Sequence, residues 1–204
     1  MKLYYSPGAC SLSPHIALLE AGLPYELVKV DLRAKKLANG EDYLKVNPKG
    51  QVPALGLDNG EIVTEGTVIV QMIADQAPDK ALAPARDSFD RYKLLEWLNF
   101  ISTELHKNFS PMFAPALSED AKAFFRDRAM AKLSYVDGQI AGRDYLMGKQ
   151  FTVADGYLFT VLTWADGMKF NLSAMPNLLA YKARVAARPK VQEALKKEEL
   201  ARSA

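Results

Sequence analysis

Three short stretches carry residues able to do chemistry: YYSPGACSLS at 4–13, NPKGQVPAL at 47–55 and TEG at 64–66. The first holds Cys10, the only cysteine of the chain. A lone cysteine is by default a buried, inert residue. This one follows a short β-type run and a Ser6-Pro7-Gly8 turn, at the start of an apolar helical stripe. Backbone N–H groups and the dipole at a helix start lower a thiol pKa. Ser13 stands where a Cys-x-x-Cys motif would have its second thiol, so Cys10 could form a mixed disulfide with an outside thiol but could not release it alone. In the second stretch Pro53 precedes a β-type run, where an interior proline is disfavoured. A cis Val52-Pro53 bond would turn the N–H and C=O of Val52 outward, ready to pair with an extended peptide; an ordinary edge-strand proline reads equally well. In the third, Glu65 could hold an ammonium and the N–H groups of the following helix an anion. A plain capping role for Thr64 or Glu65 is the default there.

The elements that must position these residues alternate along the first 80 residues. KLYY reads as a strand, and Leu12, Ile16, Leu19 and Leu23 repeat at helical spacing in an amphipathic helix closed by Gly22 and Pro24. YELVKVDL alternates as a strand. Asn59-Gly60 separates two further β-type runs, a strong hairpin signal, and Val68, Ile69, Met72 and Ile73 face one side of a second helix. The order βαβ, then ββα, calls for a mixed four-stranded sheet with helices on its faces. Residues 81–86 read as a linker. From 87 to 204 the strand signals vanish: Leu94, Leu98, Ile101 and Leu105 recur at helical spacing, as do Phe125, Ala129, Leu133, Val136 and Ile140. The fold class is α/β followed by all-α, with domains 1–80 and 87–204. Thr152 and Asp155, with Phe151 before them, form a capping-box pattern that belongs to folding.

Bulk properties exclude more than they assign. The chain has 204 residues, is 49% hydrophobic and 25% charged, and carries a formal charge of +2. That charge gives no electrostatic case for nucleic acid or an anionic membrane. No run approaches the ~20 apolar residues of a spanning helix, and MKLYYSPG has no signal-peptide h-region. One cysteine fits a reducing cytoplasm, and two histidines with one cysteine leave a structural metal site unexpected.

The three β-to-α junctions would cluster in a thioredoxin-like sheet. Their offers are a thiol-friendly helix start, a peptide-pairing edge and a zwitterion clamp, and glutathione combines the three matching features. On these motifs, with WLNFISTELHK at 97–107 and FTVADGYLF at 151–159, the chain resembles cytosolic glutathione S-transferases over essentially its whole length, most of all the bacterial beta class. The resemblance implies an N-terminal thioredoxin-like domain, a helical bundle that contributes the electrophile site and dimer interface, and glutathione as co-substrate. It implies that Cys10 and His106 face the glutathione sulfur, with Ser11 as a further hydroxyl donor. It also implies that Val52, before Pro53, pairs with the tripeptide, that Glu65 and Gly66 hold the γ-glutamyl end, and that Lys35, with Lys36 adjacent, reaches the glycyl carboxylate. In a homodimer, Asn99 and Thr103 would reach the neighbouring subunit's glutathione, and Glu104 and Leu105 are counted with the glutathione-binding residues. Asn99, Thr103 and His106 are spaced to share one face of a helix. Gly66 departs from the serine of many relatives, and Thr103 stands where serine is common. Phe109, Phe113, Trp164 and Tyr5 are candidates for an apolar electrophile pocket, with core packing the alternative for the first three and the preferred reading for Tyr157.

The implied reaction joins the glutathione thiolate to a small apolar electrophile. A thiol of pKa near 8.5 must drop by roughly two units to be mostly ionised at pH 7, a differential stabilisation of about 2.7 kcal/mol. Helix-start N–H groups, the Cys10 S–H and a cationic His106 are the expected sources. Glutathione-dependent thiol transfer or reductive dehalogenation through Cys10 is the rival chemistry, and a non-catalytic carrier of apolar ligands the rival class.

Overall fold

The computed structural model describes residues 1–168 and 170–202, so positions 169, 203 and 204 of the helical domain expected over 87–204 lie outside the described residues. The chain divides into two compact units, Met1–Ala83 with Ala187–Ala204, and Pro84–Ala186.

In the first unit, β1 (Lys2–Tyr5) alternates side chains and buries Leu3 and Tyr5. Helix α1 (Leu12–Ala21) carries the chain back to β2 (Glu26–Asp31), which lies parallel to β1 with Leu3 opposite Leu27. Gly22 ends α1 at φ 69°, and the Leu23 N–H closes onto the Leu18 carbonyl at 3.2 Å. That left-handed cap is one glycine adopts without steric cost. Strand β4 (Ala54–Gly56) runs antiparallel to β1 and pairs with β5 (Ile62–Thr64). The hairpin turn between them is closed by the Gly60 N–H on the Leu57 carbonyl, with Gly60 at φ 88°. Helix α2 (Gly66–Gln76) follows.

The sheet has five strands in the order β3-β2-β1-β4-β5, one more than the four expected. The addition is β3 (Lys36–Leu37), antiparallel to β2 at the edge. Two residues in a polar stretch carry no period from which a strand could be read. One core, including Leu3, Leu12, Ile16, Leu18, Leu55, Ile69 and Ile73, is fully buried. A smaller cluster of Val30, Tyr43 and Val52, with Tyr4, Ala9, Leu37 and Val46 against it, lies beneath the loop before β4.

The second unit contains α3 (Phe89–Phe100), a π-helical turn over Ile101–His106, a short α4 (Lys107–Phe109), α5 (Glu119–Gln139), α6 (Val153–Gly167) and α7 (Pro176–Ala186). Its core joins Leu94, Leu98, Ile101, Leu105, Leu133, Leu158, Leu162 and Tyr181. The capping box at α6 forms as its spacing predicts. Asp155, fully buried, accepts from the Thr152 N–H at 2.7 Å, the Leu146 N–H at 2.8 Å and the Tyr181 O–H at 2.8 Å.

Helix α8 (Pro189–Arg202), read from the sequence as part of the helical domain through 204, groups with the compact first unit. Polar ties explain this, one part-buried and one buried. The Arg188 guanidinium grips the Glu20 carboxylate of α1 at 2.7 and 2.8 Å, and Glu198 of α8 meets His15 of α1 at 3.1 Å.

Candidate functional site

Cys10 lies half-buried in the loop between β1 and α1, and its Sγ–H donates to the Val52 carbonyl at 3.1 Å. The loop is braced from within: the Ala9 N–H bonds the Ser6 carbonyl at 3.0 Å, and the Ser11 hydroxyl bridges the Ser6 N–H and C=O at 3.2 Å each. Ser11 is fully buried, so the hydroxyl expected beside a bound thiol serves instead to hold the loop that carries Cys10. The Leu12 and Ser13 N–H groups bond the Ala9 and Cys10 carbonyls, and Pro14 has no N–H. The helix start thus acts on the thiol through its dipole more than through those donors.

The Val52-Pro53 peptide is cis, as the sequence suggested. Its loop is fixed from below by the buried cluster: the Tyr43 O–H and the Asn47 side-chain amide both donate to the Gln51 carbonyl, at 2.8 and 2.7 Å. Burial pushes the Tyr43 hydroxyl up to about 12, so it stays a donor. Lys35, at φ 55°, places its ammonium on the Gly50 carbonyl of the same loop at 2.7 Å, while its neighbour Lys36 pairs in β3 and is exposed.

Glu65 stands at φ 71° before α2 and its carbonyl accepts the Val68 and Ile69 N–H groups at 3.0 Å. A non-glycine residue held there costs on the order of 1–3 kcal/mol. Its exposed carboxylate does hold an ammonium, that of Lys49 at 2.6 Å, which also donates to the Thr64 hydroxyl at 2.7 Å. Sequence reasoning passed over Lys49; the available signal was a cation in NPKG with an acid in TEG to match it. A Cβ on Gly66 would meet Pro53 Cγ at 3.7 Å, an ordinary contact. Cys10, Val52, Pro53, Gly66, Glu65 and Lys49 therefore form one continuous series of neighbours. Tyr5 is not among them: it is 4% exposed in the core, its ring tilted against His15 at 6.5 Å, and burial raises its hydroxyl pKa.

In the second unit, the helix expected to carry Asn99, Thr103 and His106 on one face gives way to the π-helical turn at Ile101. The i→i+5 bonding of such a turn winds more slowly than an α-helix, so the spacing no longer keeps three side chains on one face. Asn99 and Thr103 stay exposed, the Thr103 hydroxyl on the Asn99 carbonyl at 3.0 Å. His106 turns onto α6, its Nδ1 2.7 Å from the Tyr157 hydroxyl and its ring 4.8 Å from that of Trp164. Burial, and secondarily the Lys107 charge, lower its pKa to about 4. The imidazole is thus neutral at pH 7, which overturns the expectation of a cationic His106. Glu104 is paired with Lys132 at 2.8 Å, which holds its carboxyl below the usual range, and the Leu105 side chain is fully buried. Of the aromatic candidates, Phe109 is core, Trp164 is 7% exposed, and Phe113 is 56% exposed with its ring 5.7 Å from Trp164. Tyr157 is buried as expected but carries a role the sequence did not reveal, the hydrogen bond to His106.

No helix among the described residues is long and apolar enough to cross a membrane, and no cluster of His, Cys, Asp or Glu there is suited to a metal ion. The N-terminal domain family of glutathione S-transferases matches residues 8–76, and the C-terminal domain family matches 103–198. Glutathione S-transferase GstA of Escherichia coli O157:H7 is 50% identical over 200 residues, which cover 98% of this chain and all of that protein. A sphingomonad glutathione S-transferase, solved in complex with glutathione, is 51% identical with a TM-score of 0.95 over 98% of this chain and all of its own. A beta-class enzyme from Sphingomonas chungbukensis is 47% identical with a TM-score of 0.94, over 97% and 98% of the two chains.

Proposed function

Because the chain belongs to the glutathione S-transferase family, we propose that it joins the glutathione thiolate to small apolar electrophiles, with Cys10 beside the reacting sulfur. It is an enzyme, a glutathione transferase of the bacterial beta class. The observation that carries the residue assignment is the 3.1 Å bond from Cys10 Sγ to the Val52 carbonyl. A carbonyl oxygen has two lone pairs, so Val52 can keep the thiol and still pair with the backbone of an extended tripeptide. A cysteinyl residue paired there brings its sulfur within reach of Cys10. Glu65 meets the γ-glutamyl ammonium, in the place where Lys49 now sits, Gly66 offers its N–H to the adjoining carboxylate, and Lys35 takes the glycyl carboxylate.

Thiolate stabilisation then rests on the α1 dipole and the Cys10 S–H, and His106, being neutral, could act only as a hydrogen-bond donor. In the tautomer that accepts the Tyr157 proton at Nδ1, the ring's own proton is on Nε2. The exposed Phe113 ring beside Trp164 supports an apolar electrophile. We infer a homodimer in which the exposed Asn99 and Thr103 face the partner's glutathione; light scattering on the purified protein should give the mass of two chains.

Retention on immobilised glutathione and turnover of 1-chloro-2,4-dinitrobenzene test the reading. Cys10→Ala should keep conjugation within about tenfold, the worth of one hydrogen bond to a charged sulfur. A half-exposed single thiol favours thiol transfer as the second activity. In that reaction the Cys10 thiolate attacks a glutathione mixed disulfide, expels the other thiolate and becomes glutathionylated; a second glutathione thiolate then displaces it as glutathione disulfide. This exchange should vanish in Cys10→Ala. Exchange at the wild-type rate in that variant excludes the covalent route, and no retention or turnover by the wild type excludes the assignment as a whole.

A further inference from the structure

The loop that carries Cys10 is anchored by a residue 188 positions away. Oε2 of Glu198, on α8, accepts the Gly8 N–H at 2.7 Å. Oε1 of the same carboxylate meets His15 Nδ1 at 3.1 Å, and His15 Nε2 reaches the Tyr25 hydroxyl at 3.0 Å. Glu198 is 3% exposed and His15 fully buried. A carboxylate can only accept, so Nδ1 of His15 carries a proton and both Glu198 oxygens are occupied. Gly8 stands at φ 69°, two residues before Cys10. Two of the loop's supports differ in kind. Ser11 ties its ends to Ser6 from within, and Glu198 holds its midpoint from another helix.

We propose that Glu198 is a positioning residue for Cys10, and that His15, itself oriented by Tyr25, sets the angle at which the carboxylate meets the loop. The docking of α8 on α1 has a separate source in the Glu20–Arg188 pair, which does not touch the loop. Arg188 immediately precedes α8 and pairs with α1, whereas Glu198 within α8 meets both α1 and the thiol loop, so the two ties differ in what they hold. Breaking the Arg188 pair loosens the helix, whereas breaking the Glu198 contact leaves the Gly8 N–H and the His15 ring without their acceptor and lets the thiol shift from the Val52 carbonyl. The inference rests on the reading of Cys10 as part of the glutathione site, but the position of the thiol can be read without glutathione.

The test compares Glu198→Ala, Glu198→Gln and Arg188→Ala in the full-length protein, each verified as folded by circular dichroism. Cys10 is the only thiol, so iodoacetamide alkylation reports on it alone. Glu198→Ala should alkylate at least threefold faster than wild type and raise the KM for glutathione about tenfold, a loss in the range of one orphaned buried hydrogen bond. Glu198→Gln should stay within twofold on both measures, since the amide oxygen can accept from Gly8 while the amide nitrogen donates to His15 in its other tautomer. Arg188→Ala should lower Tm with alkylation and KM unchanged. Wild-type alkylation in folded Glu198→Ala, or an equal change in Arg188→Ala, overturns the proposal. If Glu198→Ala does not fold, the fallback is Tyr25→Phe, which removes the hydroxyl that meets His15 at 3.0 Å and accepts from Lys197 at 3.3 Å: a twofold or greater rise in alkylation there but not in Lys197→Ala supports the proposal, and an unchanged rate, or an equal rise in Lys197→Ala, overturns it. Faster alkylation with unchanged KM would uphold the role of Glu198 and count against Cys10 in glutathione binding.

Discussion

Around Cys10 the first unit presents backbone, and around His106 the second presents rings. The thiol loop, the cis Val52-Pro53 turn and the start of α2 are short segments whose carbonyls and N–H groups are held from behind by Ser11, Asn47, Tyr43 and Glu198. The His106 region is helical, its aromatic side chains packed on α6 with one hydrogen bond, from Tyr157, to orient the imidazole. A backbone-built surface suits a ligand that is itself a peptide, because specificity comes from pairing and from charges at fixed places. A ring-lined surface suits varied apolar molecules, because selectivity there rests on shape, and one methylene changes it by only about 1–3 kcal/mol.

The largest test of this contrast is Asp155→Ala. The carboxylate is buried and accepts four hydrogen bonds, from Leu146, Tyr181 and both the N–H and hydroxyl of Thr152. Its removal should cost roughly 3–5 kcal/mol in urea unfolding, since several buried donors lose their partner at once. If the two regions are independently supported, turnover should fall with the His106 side while Cys10 alkylation in the folded fraction stays at the wild-type rate. A parallel change in both would mean that they share a support.

Acid should separate them next. His106 has a pKa near 4 in the folded protein against about 6.5 when unfolded. Between those values the unfolded chain binds more protons, so the stability contribution is complete above pH 6.5 and is lost as pH falls toward 4. From pH 7 to pH 5 this amounts to about 1–2 kcal/mol, at the low end for a half-buried ring. The wild type should lose that much more stability over this range than His106→Gln, and equal losses would remove the case for a neutral imidazole.

The smallest effect is expected at Gly66→Ser. The added Cβ meets Pro53 at ordinary contact distance, so stability should change by less than about 0.5 kcal/mol, while a hydroxyl at the start of α2 should lower the glutathione KM about two- to fivefold. A rise in KM would show that the γ-glutamyl end is not bound there.

The two regions also differed in how far they could be read in advance. Cys10, Val52-Pro53 and Glu65 each sit in a local motif, where a turn, a proline or a helix start states its own geometry. The contact of Lys49 with Glu65 escaped because nothing local to NPKG says which acid lies opposite. His106 was singled out by resemblance, but its bond to Tyr157 and the loss of a common face with Asn99 and Thr103 follow from the π-helical turn, which has no periodic signature, and its neutrality follows from burial. Lys35 and Ser11 show the same limit: each was read toward a ligand, yet one ammonium rests on Gly50 and one hydroxyl on Ser6.

The βαβ and ββα runs of the first unit apart from β3, the α6 capping box, the hairpin at Asn59-Gly60 and the placing of a single thiol before a helix were settled by the sequence, because each depends on residues a few positions apart. Tertiary structure alone decided that the chain's last helix returns to brace the thiol loop, that Tyr5 is core, and that His106 is uncharged. Those outcomes depend on which groups lose water together, and burial is a property of the assembled fold that spacing along the chain does not encode.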